Sequence, residues 1–141
     1  MDEFRSAYGL LQLERVDGEI GKRKKVAEHY REALKDLPGI TMLYDLPGVH
    51  HNYAYFPILV DTEKYGISRD ALYEKLKQHN IYSRRYFYPL CSDFPTYRSL
   101  QSAGSNNLPV AEKVADKMLC LPMFADLSEE DQEKIIAVLR K

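Results

Sequence analysis

Residues 4 to 34 carry apolar side chains at helical intervals, and this run limits the possible folds more than any other. Leu13, Val16, Ile20, Ala27, Tyr30 and Leu34 recur at steps of three, four and seven, laying one stripe along a helix. Phe4, Ala7, Tyr8 and Leu11 extend it backwards on a slightly rotated face. Asp2 stands at the N-cap position. Gly18 and Gly21 each weaken the middle by about 1 kcal/mol relative to alanine, which leaves room for a bend or break there. "DLPGI" at 36–40 ends the helix, because proline cannot continue it and glycine makes the turn. The basic run Lys22-Arg23-Lys24-Lys25 reads as a solvated face.

Extended segments follow. Ile40 to Tyr44 is short and runs into the turn "LPGVHHN". Tyr53 to Val60, "YAYFPILV", is nearly all apolar, as a strand covered on both faces would be. Pro57 inside it lacks an N–H and points to an edge position or a bulge. Ser68 caps a helix carrying Leu72 and Leu76. Ile81 to Tyr88 reads as the next strand, and residues 91–108 as a loop rich in turn formers. Pro109 opens another helix with Val110, Val114 and Met118. "LCLPMF" at 119–124 is a short extended piece. The last helix starts at Ser128 and Asp131, a capping-box pattern, and carries Ile135, Ile136 and Leu139. The expected fold class is α+β: a long N-terminal helix and a small, largely antiparallel sheet with helices packed on one face.

With 141 residues, 45% of them apolar and 29% charged, the chain is expected to be one globular domain. Its formal charge of −1, from 20 basic and 21 acidic residues, removes the usual argument for nucleic-acid binding. No apolar run approaches the roughly 20 residues of a membrane span, and "MDEFRSAYGL" lacks a signal-peptide layout. Cys91 and Cys120 have neither CxxC nor metal-ligand spacing and read as free thiols in a reducing, cytoplasmic setting. His50 and His51 point to opposite faces without a third ligand, so they read as a turn pair. His29 and His79 read as surface residues.

The segment "NIYSRRYFYPL" holds the densest chemistry. As a strand it places Tyr82, Arg84, Tyr86 and Tyr88 on one face, and Ile81, Ser83, Arg85 and Phe87 on the other. Arginine beside tyrosine suits a carboxylate or phosphate next to a base or sugar ring. An exposed face, with arginine stacked on tyrosine and tied to a surface carboxylate, accounts equally for the spacing. No phosphate-binding glycine loop, GxSxG or HExxH is present, and no catalytic constellation is complete.

Four blocks in order resemble the C-terminal part of the DegT/DnrJ/StrS-type sugar aminotransferases, which depend on pyridoxal phosphate (PLP). They are "MDEFRSAYGLLQLERV", "KRKKVAEHYREAL", "NIYSRRYFYPLCSDFPTYRSL" and "NLPVAEKVADKMLCLPMFADLSEEDQEKI". The resemblance implies the small domain of the aspartate-aminotransferase-like fold over residues 1–141, with the large PLP-binding domain absent. The reaction it implies moves an amino group from glutamate to a keto group on a nucleotide-linked sugar, in a homodimer. Arg84, Arg85, Tyr86 and Tyr88 match the family segment that approaches the substrate. Cys91 stands where relatives often carry histidine.

The Schiff-base lysine, the carboxylate facing the pyridine nitrogen and most of the phosphate cup belong to segments upstream of the match. Lys64, Lys75 and Lys77 match no family lysine motif. The isolated chain is therefore expected to bind no PLP and not to transaminate, and to expose apolar surface where the large domain would pack. Two alternatives stand beside this: a stand-alone α+β small-ligand-binding or regulatory module, and a purely structural interaction domain.

Overall fold

The computed structural model describes residues 2–86, 88–104 and 107–141. Helix α1 runs unbroken from Glu3 to Leu34, so no break occurs at Gly18 or Gly21. Nothing packs near either glycine to force one, and the Lys22–Glu19 ion pair (2.9 Å) spans Gly21. Asp2 caps the start by accepting the Arg5 N–H at 2.9 Å.

The helix stops at the expected motif. Ile40 N–H donates to the Leu37 carbonyl, and Gly39 takes φ +77°. A Cβ on Gly39 would lie 2.4 Å from the Tyr65 backbone nitrogen, so both the backbone angle and the space demand glycine.

Strands β1 (Ile40–Met42), β2 (Phe56–Val60), β3 (Arg84–Arg85) and β4 (Met118–Leu121) form one antiparallel sheet in the order β1-β2-β4-β3. All four strands are shorter than the sequence pattern predicts, and β4 also begins one residue early. Pro57 sits on an inner strand, yet β1 ends with Met42 opposite Ile58, so Pro57 has a ladder partner only on the β4 side. β2 alternates buried and half-buried, and it is β4 that is buried on both faces.

Short α2 (Thr62–Tyr65) went unanticipated; Asp61 caps it by accepting from Glu63 N–H. Helices α3 (Arg69–Gln78), α4 (Pro109–Lys117) and α5 (Glu129–Arg140) begin where Ser68, Pro109 and Ser128 placed them. Two 3-10 turns, Cys91–Asp93 and Gln101–Ala103, order the long loop.

The core fills the space between the sheet and α1, α3 and α5. Tyr30, Leu34, Ile58, Val60, Leu72, Leu76, Leu119 and Leu139 are fully buried there, each contributing roughly 1.5–3 kcal/mol. Tyr30 donates its hydroxyl to the Pro122 carbonyl. His29, read as a surface residue, is half-buried and clamps α1 to α5, with Nδ1 2.8 Å from Gln132 Oε1 and Nε2 2.9 Å from Glu133.

Cover ends partway along α1. Its buried residues all lie from Val26 onward, whereas Phe4 is 89% exposed and Leu13 69%. No helix among the described residues is long and apolar enough to cross a membrane.

Candidate functional site

The sheet register sorts the two neighbouring arginines. Arg85 pairs with Leu119, which pairs with Ile58, so this cross-strand row faces the core. Arg84 pairs with Cys120, which pairs with Pro57, so this row faces the opposite, outer side.

On the core side Arg85 is half-buried. Its guanidinium lies 4.6 Å from the Tyr73 ring centre and 5.5 Å from that of Tyr88, and its Nε is 2.9 Å from Asp70 Oδ1. The same carboxylate oxygen is 2.8 Å from Nε of Arg69, a residue only 2% exposed. That oxygen lies off both N–H axes, so the attraction is Coulombic without a formed hydrogen bond. Arg69 also donates from Nη1 to the carbonyls of Ala115 (2.9 Å) and Met118 (3.2 Å), and lies 4.8 Å over Tyr88.

On the outer side Arg84 is exposed and has no carboxylate partner among the described residues. Its guanidinium stands 6.0 Å from the Tyr55 ring centre, at the outer limit of a cation–π contact. Tyr55 meets Tyr86 edge-on at 5.3 Å. These two rings line a cavity of about 400 Å³, together with His51, Asn52, Pro57 and Met118. Cys120, in the Arg84 row, has its thiol pushed up to about 11 by burial, with Arg84 opposing the shift.

The four residues singled out from the sequence therefore divide. Tyr86 lines the outer cavity and Arg84 stands beside its Tyr55 wall, whereas Arg85 and Tyr88 belong to the Asp70 cluster. Tyr88 falls on the Arg85 side because only Arg84 and Arg85 stay in the ladder and the chain turns at Tyr86. Strand alternation cannot be carried past that point. Phe87 lies outside the described residues.

Sequence reasoning missed Tyr55, His51 and Asn52. The signal was present in "HHNYAY", a polar turn feeding aromatic residues. The linear pattern reads as turn and strand, because the loop that folds it against β3 is not visible in it.

A second polar cluster pins that loop. Arg31 Nη2 donates to Asp45 Oδ1 (2.6 Å) and to the Leu43 carbonyl, and the Tyr53 hydroxyl donates to Asp45 Oδ2 at 2.5 Å. The Arg31 bond first, and the Tyr53 bond second, hold the Asp45 carboxyl down at about 2. Among the described residues no cluster of three or more His, Cys, Asp or Glu could hold a metal.

A long helix leading into a four-stranded antiparallel sheet with helices on its core side is the architecture of the small domain of the aminotransferase fold. The solved structure of DesI, obtained in the presence of its TDP-sugar product, matches 94% of this chain with TM-score 0.85 and 30% identity, over 33% of its own length. A model of the DegT/DnrJ/EryC1/StrS aminotransferase family matches residues 1–140. The chain belongs to that family and corresponds to its C-terminal small-domain portion.

The dTDP-4-amino-4,6-dideoxy-D-glucose transaminase of Escherichia coli is 50% identical over 139 residues, 99% of this chain and 37% of that protein. The Shigella dysenteriae protein of the same description is 40% identical over 141 residues, 100% of this chain and 38% of its own. The chain thus spans little more than a third of the curated relatives it matches.

Enzymes of the family use PLP. Among the described residues no lysine is buried, and none lines the outer cavity.

Proposed function

We propose that this chain is the substrate-facing small domain, residues 1–141, of a PLP-dependent aminotransferase that moves an amino group from glutamate to a nucleotide-linked keto-sugar. The observation that carries the reading is Arg84, an exposed guanidinium without a carboxylate partner among the described residues, set beside the tyrosine-walled outer cavity. An arginine left in that state has its donors available for a phosphate or carboxylate of the substrate. Tyr86 lines the same wall. Arg85 and Tyr88 act from behind it, fixing β3 and the start of the following loop through Asp70. The two transaminases described above, both named for a dTDP-linked amino sugar, support this substrate class.

PLP supplies the electron sink of the reaction when bound, and it is held by a large domain outside residues 1–141. The isolated chain then neither binds it stoichiometrically nor transaminates. Within this reading the domain works in a homodimer and in the cytoplasm, consistent with two free thiols, Cys91 exposed and Cys120 buried.

Titration of the purified chain with PLP, followed by borohydride reduction and peptide mapping, tests the division of labour. Scattered, substoichiometric labelling of surface lysines is expected. One lysine labelled at one-to-one stoichiometry would place a cofactor site within this chain and overturn the reading.

A further inference from the structure

We propose that the crevice between the C-terminal ends of α2 and α5 and the flank of α3 binds a small aliphatic dicarboxylate. The assignment stands apart from the substrate-wall reading. Lys64 from α2, Lys75 from α3, and Arg140 and Lys141 from the end of α5 line the crevice, and no acidic side chain does. Four of its nine lining residues are thus cationic, in a chain whose 20 basic residues are matched by 21 acidic ones. Asp36 and Glu63 each adjoin a lining residue in sequence, yet neither lines the crevice. The bare stretch of α1 ends near Val16, and the helix continues to Leu34 before reaching this place, roughly 27 Å further on at 1.5 Å per residue. A partner confined to the bare stretch leaves the crevice open.

Helix ends alone do not account for these cations. Basic residues in a last turn are favoured by the macrodipole, and Arg140 fits that role, because its Nη2 donates to the Ala33 carbonyl in the last turn of α1 at 2.5 Å. The ammonium groups of Lys64, Lys75 and Lys141 make no hydrogen bond or ion pair among the described residues. Lys75 is also half-buried, so an unpaired cation there has given up part of its water. Beneath the charges, Leu37, Ile67 and Leu139 form an apolar floor. Tyr65 completes it, with its hydroxyl already donating to the Leu139 carbonyl at 2.7 Å. Such a floor offers nothing to the hydroxyls of a sugar phosphate, and inorganic phosphate leaves it uncovered. A short methylene chain covers it, while a carboxylate at each end meets cations carried by separate helices. The cavity volume of about 270 Å³ lies a little below the roughly 300–1,000 Å³ of drug-sized sites, so the occupant is small.

Calorimetric titration of the full chain with glutarate, butyrate and inorganic phosphate tests this. Glutarate is expected to bind at one site, at least fivefold tighter than either of the others, and to weaken as salt is added. Lys75→Gln and Lys64→Gln each weaken glutarate at least threefold. Lys113→Gln, which removes an equal charge from the exposed side of α4, leaves it unchanged. None of the three lysines belongs to the core, and circular dichroism of each variant confirms folding. Equal affinity for glutarate and phosphate would overturn the dicarboxylate assignment. Glutarate binding undiminished by both crevice variants would overturn its placement between α2, α3 and α5. Absence of saturation at tens of millimolar glutarate would overturn the site itself.

Discussion

Arg84 and Arg85 are consecutive in the chain and opposite in circumstance. Arg85 shares the Asp70 carboxylate with buried Arg69 and is walled by two tyrosines, whereas Arg84 stands exposed at the edge of a cavity. One step along a strand reverses the face, so adjacent identical residues can be assigned to folding and to recognition separately. The difference lies in what the rest of the fold brings to each face. Helix α3 delivers Asp70 and Tyr73 to one side, and the loop before β2 delivers Tyr55 to the other.

The sharpest way to break this comparison is to remove support from each face in turn. Leu119→Ala, in the Arg85 row, should cost about 2–5 kcal/mol in urea unfolding. Thr41→Ala on the outer face should stay within about 0.5 kcal/mol. Similar losses from both would mean that the sheet is not asymmetric. Asp70→Ala comes next, at about 1–2 kcal/mol. A fully buried pair is worth roughly 3–5 when broken, but this side chain is 54% exposed and screened. A loss below about 0.3 kcal/mol would make the two-arginine cluster ornamental.

A smaller effect comes with acid. The folded-state pKa of Asp45 lies at about 2, below its ordinary value of 3.8, so its contribution is complete above that value and is lost as pH falls toward 2. Protection factors against hydrogen exchange in residues 43–55, corrected for the intrinsic pH dependence, should therefore fall over that window, and Asp45→Asn should flatten the change. Protection factors that are flat with pH in the parent chain would show that the Arg31–Asp45–Tyr53 cluster does not pin the loop. Smallest of all, Arg84→Ala should alter stability by no more than about 0.5 kcal/mol. A larger loss would transfer Arg84 to the structural side and erase the contrast.

Local chemistry explains what the sequence made legible. Asp2, Ser68 and Ser128 mark helix starts through side-chain bonds reaching only a few residues, Pro109 through its fixed φ and missing N–H, and each starts a helix as expected. Gly39 and its proline mark the one sharp stop. The opposition of Arg84 and Arg85 also followed from strand alternation. Tyr88 did not, because alternation ends where the ladder ends, and the length of an edge strand is set by its neighbour. Tyr55 and Asp70 were missed as site residues for a related reason. Their roles come from contacts between segments distant in sequence, and nothing in "YAYFPILV" or "SRDAL" announces which strand will lie alongside. His29 likewise gained its role from α5, some hundred positions later.

The bare first half of α1 has a consequence for any measurement on this domain. Phe4, Tyr8 and Leu11 lie on one side of that segment, and Leu13 and Val16 on another, all exposed. A helical segment of this length has little stability of its own in water. Its order therefore responds to mass action: any species that covers it stabilises it in proportion to the logarithm of that species' concentration. For this stretch, helix content is a variable of state, to be reported together with the protein concentration at which it was measured.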